Sequence, residues 1–334
     1  MKIKRSHGLL FLSLFFILSH TSCGGFQSVE KIKDIELAPE VPKDLDKRLS
    51  VETYKGNGKP TSKDVKKRST KLKSIFTLPQ AKARAKIFAN TKAFRVGEKV
   101  KLSLTWFTIK RGEITLEVRP YVAIEGRKTY HFVGTAKSSS TMDLIHSVDD
   151  WVESYVDADT FYPIRAGLHG IETDRRREGQ ILFDYLNRKI HYWMKRIHVK
   201  KGTKEVHRAD DYIPGILDVF SAAFYLRIQD LQVGKTYHSD LYNEGKHITV
   251  KADVLKRETI VTDIGDFNTL VIRPEAQFEG ILKTSGDSLV WLSDDERHFI
   301  VRLETKIKIG YLRAEVISIE DPDYRMISST PGKK

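Results

Sequence analysis

Asp294-Asp295-Glu296 with His298 puts three carboxylates and an imidazole within five positions, the donor types that a divalent cation takes. Consecutive carboxylates at a strand-to-strand turn point in different directions. The alternate ligands, glycine and distant glutamate of a calcium loop are absent, so the segment reads as a solvated turn. His191, His198 and His207 lack the spacing of a zinc site on a helix, and on a strand the odd separation of His191 and His198 puts them on opposite faces. Ser138-Ser139-Ser140 is the hydroxyl cluster of the chain, with Asp143 and His146 nearby, but no Gly-x-Ser-x-Gly elbow surrounds it. There is no glycine-rich phosphate cradle and no dinucleotide fingerprint. These patterns assign no catalytic residue, no metal ligand and no cofactor.

Cys23 is the one cysteine of the 334 residues. It follows a basic start (Lys2, Lys4, Arg5), an apolar run from Leu9 to Leu18, and the small residues Thr21 and Ser22. A run of about ten residues is too short to cross roughly 30 Å of hydrocarbon as a helix, so residues 1–22 read as a removable secretory signal. Cys23 reads as the site of lipidation, although His20 stands where an aliphatic residue is usual. One cysteine cannot form an internal disulfide, so an exported fold has to rest on its core.

The formal charge of +13 is unevenly placed. Residues 60–90 hold nine basic residues against Asp64 alone, among them Lys63, Lys66, Lys67, Arg68, Lys71 and Lys73, while residues 91–334 carry a net charge of only +2. A nucleic-acid reader would place its basic excess on the folded surface, so nucleic acid is not expected as a partner. Residues 23–90 read as a lipidated start followed by a flexible basic linker, with a short helix expected around Gln80 to Asn90. That linker either solubilises the chain or touches anionic headgroups or the cell wall.

From Phe94 the hydrophobic period becomes two. Val100, Leu102, Leu104 and Trp106 alternate with polar residues; Lys110-Arg111-Gly112 reads as a turn, and Ile114, Leu116 and Val118 continue the alternation as the second arm of a hairpin. Further strands are expected at 128–133, 151–156, 180–185, 189–199, 235–241, 247–255, 258–262, 268–272, 288–291, 298–308 and 311–319. The chain is therefore expected to be mainly β: an antiparallel, strongly curved sheet, an open barrel or a sandwich, within one domain over 91–320, with 321–334 a disordered tail.

One segment breaks the pattern. Asp218 is a good N-cap, and Val219 to Ile228 has helical character with apolar residues nearly all round, which predicts one central buried helix over about 218–228. Its place in a curved sheet would be inside the concave face or across its mouth. Arg227 on this helix either reaches the surface or pairs with a buried carboxylate. Phe220, Phe224 and Arg227 are the candidate ligand-binding residues.

Asp218-Val219-Phe220-Ser221-Ala222-Ala223-Phe224-Tyr225-Leu226-Arg227, followed by Leu231-Gln232-Val233-Gly234-Lys235, resembles the central signature of the bacterial domain-of-unknown-function 3108 family. Gly97-Glu98 with Gly112 resembles the opening of that family. Leu289-Val290-Trp291-Leu292-Ser293-Asp294-Asp295, then Val301, Lys306 and Gly310, resembles its closing strands. His298-Phe299-Ile300 departs from the proline that relatives often carry there. The resemblance spans about Phe94 to Glu320 and implies an exported, mostly β envelope protein, with no established activity or site residues. Two function classes follow: a non-enzymatic module binding an apolar or amphipathic envelope ligand, or a structural lipoprotein that positions protein partners or cell wall in the periplasm. In either case the chain is expected to face the periplasm from a membrane, the outer membrane being favoured.

Overall fold

Alternating apolar and polar residues need a sheet with one face turned from water, and in the computed structural model most of the alternating runs become strands of one curved sheet. The structure describes residues 39–56, 79–89, 91–107, 109–144, 146–278, 281–283, 288–306, 310–322 and 324–328. Its strands are β1 Glu52–Thr53, β2 Lys99–Trp106, β3 Ile109–Ile124, β4 Arg127–Ser138, β5 Val148–Asp157, β6 Pro163–Glu172, β7 Arg175–Asp184, β8 Lys189–His198 and β9 Gly202–Asp211. They continue as β10 Leu217–Asp218, β11 Thr236–Asn243, β12 Lys246–Thr262, β13 Gly265–Phe278, β14 Ile281–Lys283, β15 Ser288–Ser293, β16 Ile300–Lys306, β17 Tyr311–Asp321 and β18 Tyr324–Ser328. The helices are α1 Lys43–Arg48, α2 Pro79–Ala89, α3 Ser140–Asp143 and α4 Val219–Arg227.

Two antiparallel meanders make the sheet. One runs from β2 to β9, each strand pairing with the next. The other runs β11-β12-β13-β15-β16-β17. They fuse where β17 pairs with β2, from Leu312 opposite Trp106 to Glu320 opposite Lys99. The outer long strands are then β9 and β11, and the connection between them carries the two-residue β10 and α4. Side chains span the gap: Tyr242 Oη donates to Asp210 Oδ2 at 2.5 Å, and Arg196 Nη2 to Glu244 Oε1 at 2.6 Å. Bulges between Arg119 and Val122 in β3 and between Val254 and Lys256 in β12 bend the two longest strands, which lets so many strands curl around one interior.

The main core fills that interior. Val100, Leu102 and Leu104 of β2, Ile114 of β3, Leu270 and Ile272 of β13 and Val316 of β17 are buried in one cluster with Leu217, Phe220 and Phe224. The expected helix is present and buried as expected.

Several expectations are corrected. Lys110-Arg111-Gly112 is not a turn but part of β3; the chain reverses earlier, at Phe107, whose φ is 54°. Gly112 is needed for close approach, because a Cβ there would stand 2.2 Å from the Lys137 carbonyl oxygen. Runs 247–255 and 258–262 are one strand, β12, bent by its bulge. β6 and β9 were not expected. The glycines and leading proline of β6 blur its alternation, and β9 is an edge strand dominated by exposed polar residues, as edges that avoid association tend to be.

The extent of the flexible linker, 23–90, is also corrected. Leu45 and Leu49, at α1 and its C-cap, are buried against Ile124, Tyr155, Ile164 and Leu182, and β1 pairs with Ala123 and Val122 of β3. The short helix around 80–90 forms as α2, and it docks through Phe88 and Arg84. The tail 321–334 is partly ordered, since β18 pairs with β17. Cys23, Lys63, Lys66, Lys67, Arg68, Lys71 and Lys73 lie outside the described residues. Among the described residues no helix is long and apolar enough to cross a membrane.

Candidate functional site

The centre of the molecule is organised by α4. Asp218 caps it, its Oδ1 accepting from the backbone N–H of Phe220 and of Ser221 at 2.9 Å each, and Ser154 Oγ of β5 donates to Oδ2 at 2.7 Å. Burial pushes the Asp218 carboxyl above its ordinary pKa, against the hydrogen bonds from Ser221, Ser154 and Phe220 that favour the anion. At the other end, the Arg227 guanidinium grips Glu98 with Nη1 to Oε1 at 2.7 Å and Nη2 to Oε2 at 3.0 Å, and donates to the carbonyls of Ala93 and Arg297. Of the two alternatives for Arg227, this is pairing with a buried carboxylate. Both ends of the helix are therefore anchored to the sheet and its loops.

The two sides of α4 differ. On one, Phe224 stacks on Phe132 of β4 with centroids 4.0 Å apart and meets Phe94 edge-on at 5.7 Å. On the other, Phe220, Ala222, Ala223 and Leu226 line a cavity of about 300 Å³. Its remaining wall comes from Ile114 and Leu116, from Leu241, Val250, Ala252 and Ile272, and from Val290, Leu292, Ile300 and Leu303. The helix cannot collapse into this space, because stacking holds one side and ion pairing holds its end, and small side chains at 222, 223 and 252 leave volume unfilled.

Among the described residues the polar lining is confined to Tyr225, Gln229, Thr236, Tyr237, His238 and Ser239. On the inward face of β11, Tyr237 and Ser239 are half-buried and Leu241 is fully buried, so this strand runs from the mouth of the cavity to its floor, while Thr236 and His238 on the opposite face are exposed. Over this stretch β11 has β12 on one side. On the other, β10 pairs only with Leu241 and Tyr242.

Of the three candidate binding residues, Phe220 lines the cavity, Phe224 lies in the aromatic core and Arg227 is held by Glu98. Sequence reasoning missed the first half of β11 as a mouth, because alternation marks a strand without marking which strand ends at an edge.

The other chemistry-bearing groups are engaged elsewhere. Asp295 accepts from Ser293 Oγ, Arg297 N and His298 N, and Asp294 accepts from Arg257 at 2.7 Å, so this turn is built on its carboxylates. Ser138 bonds Asp143 and the backbone of Val148, while His146 faces Glu172 at 3.3 Å. Ligand atoms of Glu40, Glu205 and His207 lie within 4.8 Å of one another near β9. Both imidazole nitrogens of His207 already have protein partners, Glu40 O and Glu205 Oε1, at 3.1 Å each.

A family model described as "protein of unknown function (DUF3108)" matches residues 99–317. No curated protein matches the chain. Among solved structures, a β-barrel-like protein of domain of unknown function DUF1849 from Brucella abortus is similar at 10% identity and a TM-score of 0.44, covering 69% of this chain and 100% of that one. A protein of YmcC-like fold from Bacteroides fragilis, described as exported, is 8% identical with a TM-score of 0.31, covering 68% of this chain and 97% of that one. A protein from Parabacteroides distasonis described as a lipoprotein is 8% identical with a TM-score of 0.30, covering 69% of this chain and 99% of that one.

Proposed function

The chain belongs to the DUF3108 family, whose function is unknown, and from that premise we propose that it is a non-enzymatic carrier of an apolar or amphipathic molecule in the bacterial envelope. The observation that carries this reading is the cavity of about 300 Å³ between α4 and the concave face of the sheet. Without a ligand this space would be filled through its mouth by water set against a largely apolar wall, at a cost of about 25 cal/mol for each Å² of apolar surface left wet. A space so unfavourable to leave wet, and walled mainly by apolar side chains, fits a ligand better than a packing fault.

Native mass spectrometry of the full chain taken from its host membranes tests this. A bound mass in the lipid range, released by organic solvent, is the expected result. The ligand-free mass alone, together with no uptake of a fluorescent alkyl probe, would overturn the carrier reading and favour a scaffold.

The same proposal places the protein on a membrane through a lipid on Cys23, facing the periplasm, with the outer membrane favoured. The basic run from Lys63 to Lys73 would lie close to anionic headgroups or cell wall. Cys23→Ser is expected to move the protein to the soluble fraction and to abolish labelling by a fatty-acid analogue. Undiminished labelling in that variant would remove the anchor from the proposal.

A further inference from the structure

We propose that the cavity takes a single straight alkyl or acyl chain bearing an uncharged polar head, an inference that rests on the carrier reading above. Volume sets the length. If each methylene occupies roughly a water's share of about 30 Å³, a space of about 300 Å³ holds on the order of ten carbons. A lipid with two long chains or a fused-ring sterol does not fit such a volume.

Charge sets the head group. Among the described residues no Asp, Glu, Lys or Arg side chain lines the cavity. The arginine of the helix itself is committed to Glu98, and Arg297 is committed to Glu98 and Asp321. A carboxylate or phosphate drawn into this mouth would lose water without gaining a cation, which is unfavourable by several kcal/mol for an ion. A hydroxyl, ester or amide head meets matching neutral partners in Gln229 and in Ser239 on the inward face of β11.

Polarity orders the two ends. Along the inward face of β11 the lining passes from half-buried Tyr237 and Ser239 to fully buried Leu241, so an amphiphile enters tail first and stops with its head at the rim. The rim also presents strand edge, because β10 covers only Leu241 and Tyr242 of β11, and edge backbone N–H and C=O groups suit a neutral head.

Calorimetric titration of the full chain with n-alkyl maltosides of about six to fourteen carbons, below micelle formation, tests the inference. Dissociation constants are expected to tighten roughly fourfold per methylene, the equivalent of about 0.8 kcal/mol for each buried group. The gain should stop near ten carbons. Ala223→Phe, which fills the wall, should move that stopping point to shorter chains with the melting temperature kept or raised. Ala252→Leu gives the same readout from the facing strand should the first variant fail to fold. Fatty carboxylates of equal length at pH 8 should bind at least tenfold more weakly.

Gain that continues through fourteen carbons, equal binding of the carboxylates, or tighter binding of cholate than of the best maltoside would overturn this inference and leave the carrier reading standing. Absence of binding by all of these probes would overturn both.

Discussion

Glu98 directly follows the surface turn at Gly97, yet it is 2% exposed and holds two guanidinium groups, those of Arg227 and Arg297. Arg297 in turn donates to Asp321, so one carboxylate links the helix end, the turn before β16 and the last residue of β17. Breaking such a buried group on one side leaves a charge without compensation. Glu98→Gln is therefore expected to destabilise the protein by about 3 to 5 kcal/mol. Urea unfolding should show a lower midpoint with an unchanged slope; a loss under about 1 kcal/mol would mean that the backbone carbonyls satisfy the arginine by themselves. A second buried carboxylate behaves differently. Asp150 is 1% exposed, receives Arg177 Nη2 at 2.5 Å, and has its pKa pushed from 3.8 to about 6 by burial, with Arg177 opposing and the nearby Glu172 reinforcing the rise. The native state thus binds this proton more tightly than the unfolded chain does. The associated stability is complete below pH 4 and is lost as pH climbs toward 6, by up to about 3 kcal/mol. Asp150→Asn should remove that slope, gaining on the wild type between pH 4 and pH 6. Parallel stability profiles for the two proteins across that range would refute the assignment.

α2 shows how an element with little apolar character of its own is held. Its Arg84 guanidinium lies 4.8 Å over the ring of Tyr162 and 4.7 Å over that of Tyr225, with Nη2 donating to the Gly215 carbonyl at 2.5 Å. Phe88 adds edge contacts to Phe161 at 5.1 Å and Tyr130 at 5.7 Å. The alanine-base alternation of residues 81–86 reads from sequence as a short helix within a basic linker and does not mark Arg84 for burial, because a buried arginine is indistinguishable there from its exposed neighbours Lys82 and Lys86. Arg84→Ala is expected to cost about 2 to 3 kcal/mol, from lost stacking and one charged hydrogen bond. Limited proteolysis should then cut within residues 79–89 well before the sheet is attacked; unchanged resistance would mean that Phe88 alone secures the helix. The same docking places α2 beside Tyr225, whose ring also belongs to the lining of the cavity.

Over the whole molecule, only β10 and α4 separate the two outer long strands, β9 and β11, in sequence, and this connection delivers α4 into the concave face. A fully closed barrel would have no edge at β11 and no mouth there. A flat sheet would leave α4 without an enclosing wall. The partial closure, spanned by Tyr242 to Asp210 and Arg196 to Glu244, gives both an enclosed apolar space and a rim.

Sequence alone determined the class of the fold and its central helix. Period-two burial along β2, β3, β12 and β17 follows from side chains alternating across a pleat, and Asp218 at the head of an apolar run could serve little else than a buried N-cap. These are local properties, set by neighbours within a few residues. Strands that lack the period, such as β6 with its glycines and β9 with its charges, stayed hidden, because their pairing comes from adjacent strands and not from their own composition. Which phenylalanine of α4 stacks and which lines a cavity, and whether Arg227 meets a carboxylate, depended on β4 and on Glu98, which lie 92 and 129 positions away from their partners. Only the tertiary structure decided those, because an alternation pattern records that a face is buried and says nothing of what buries it.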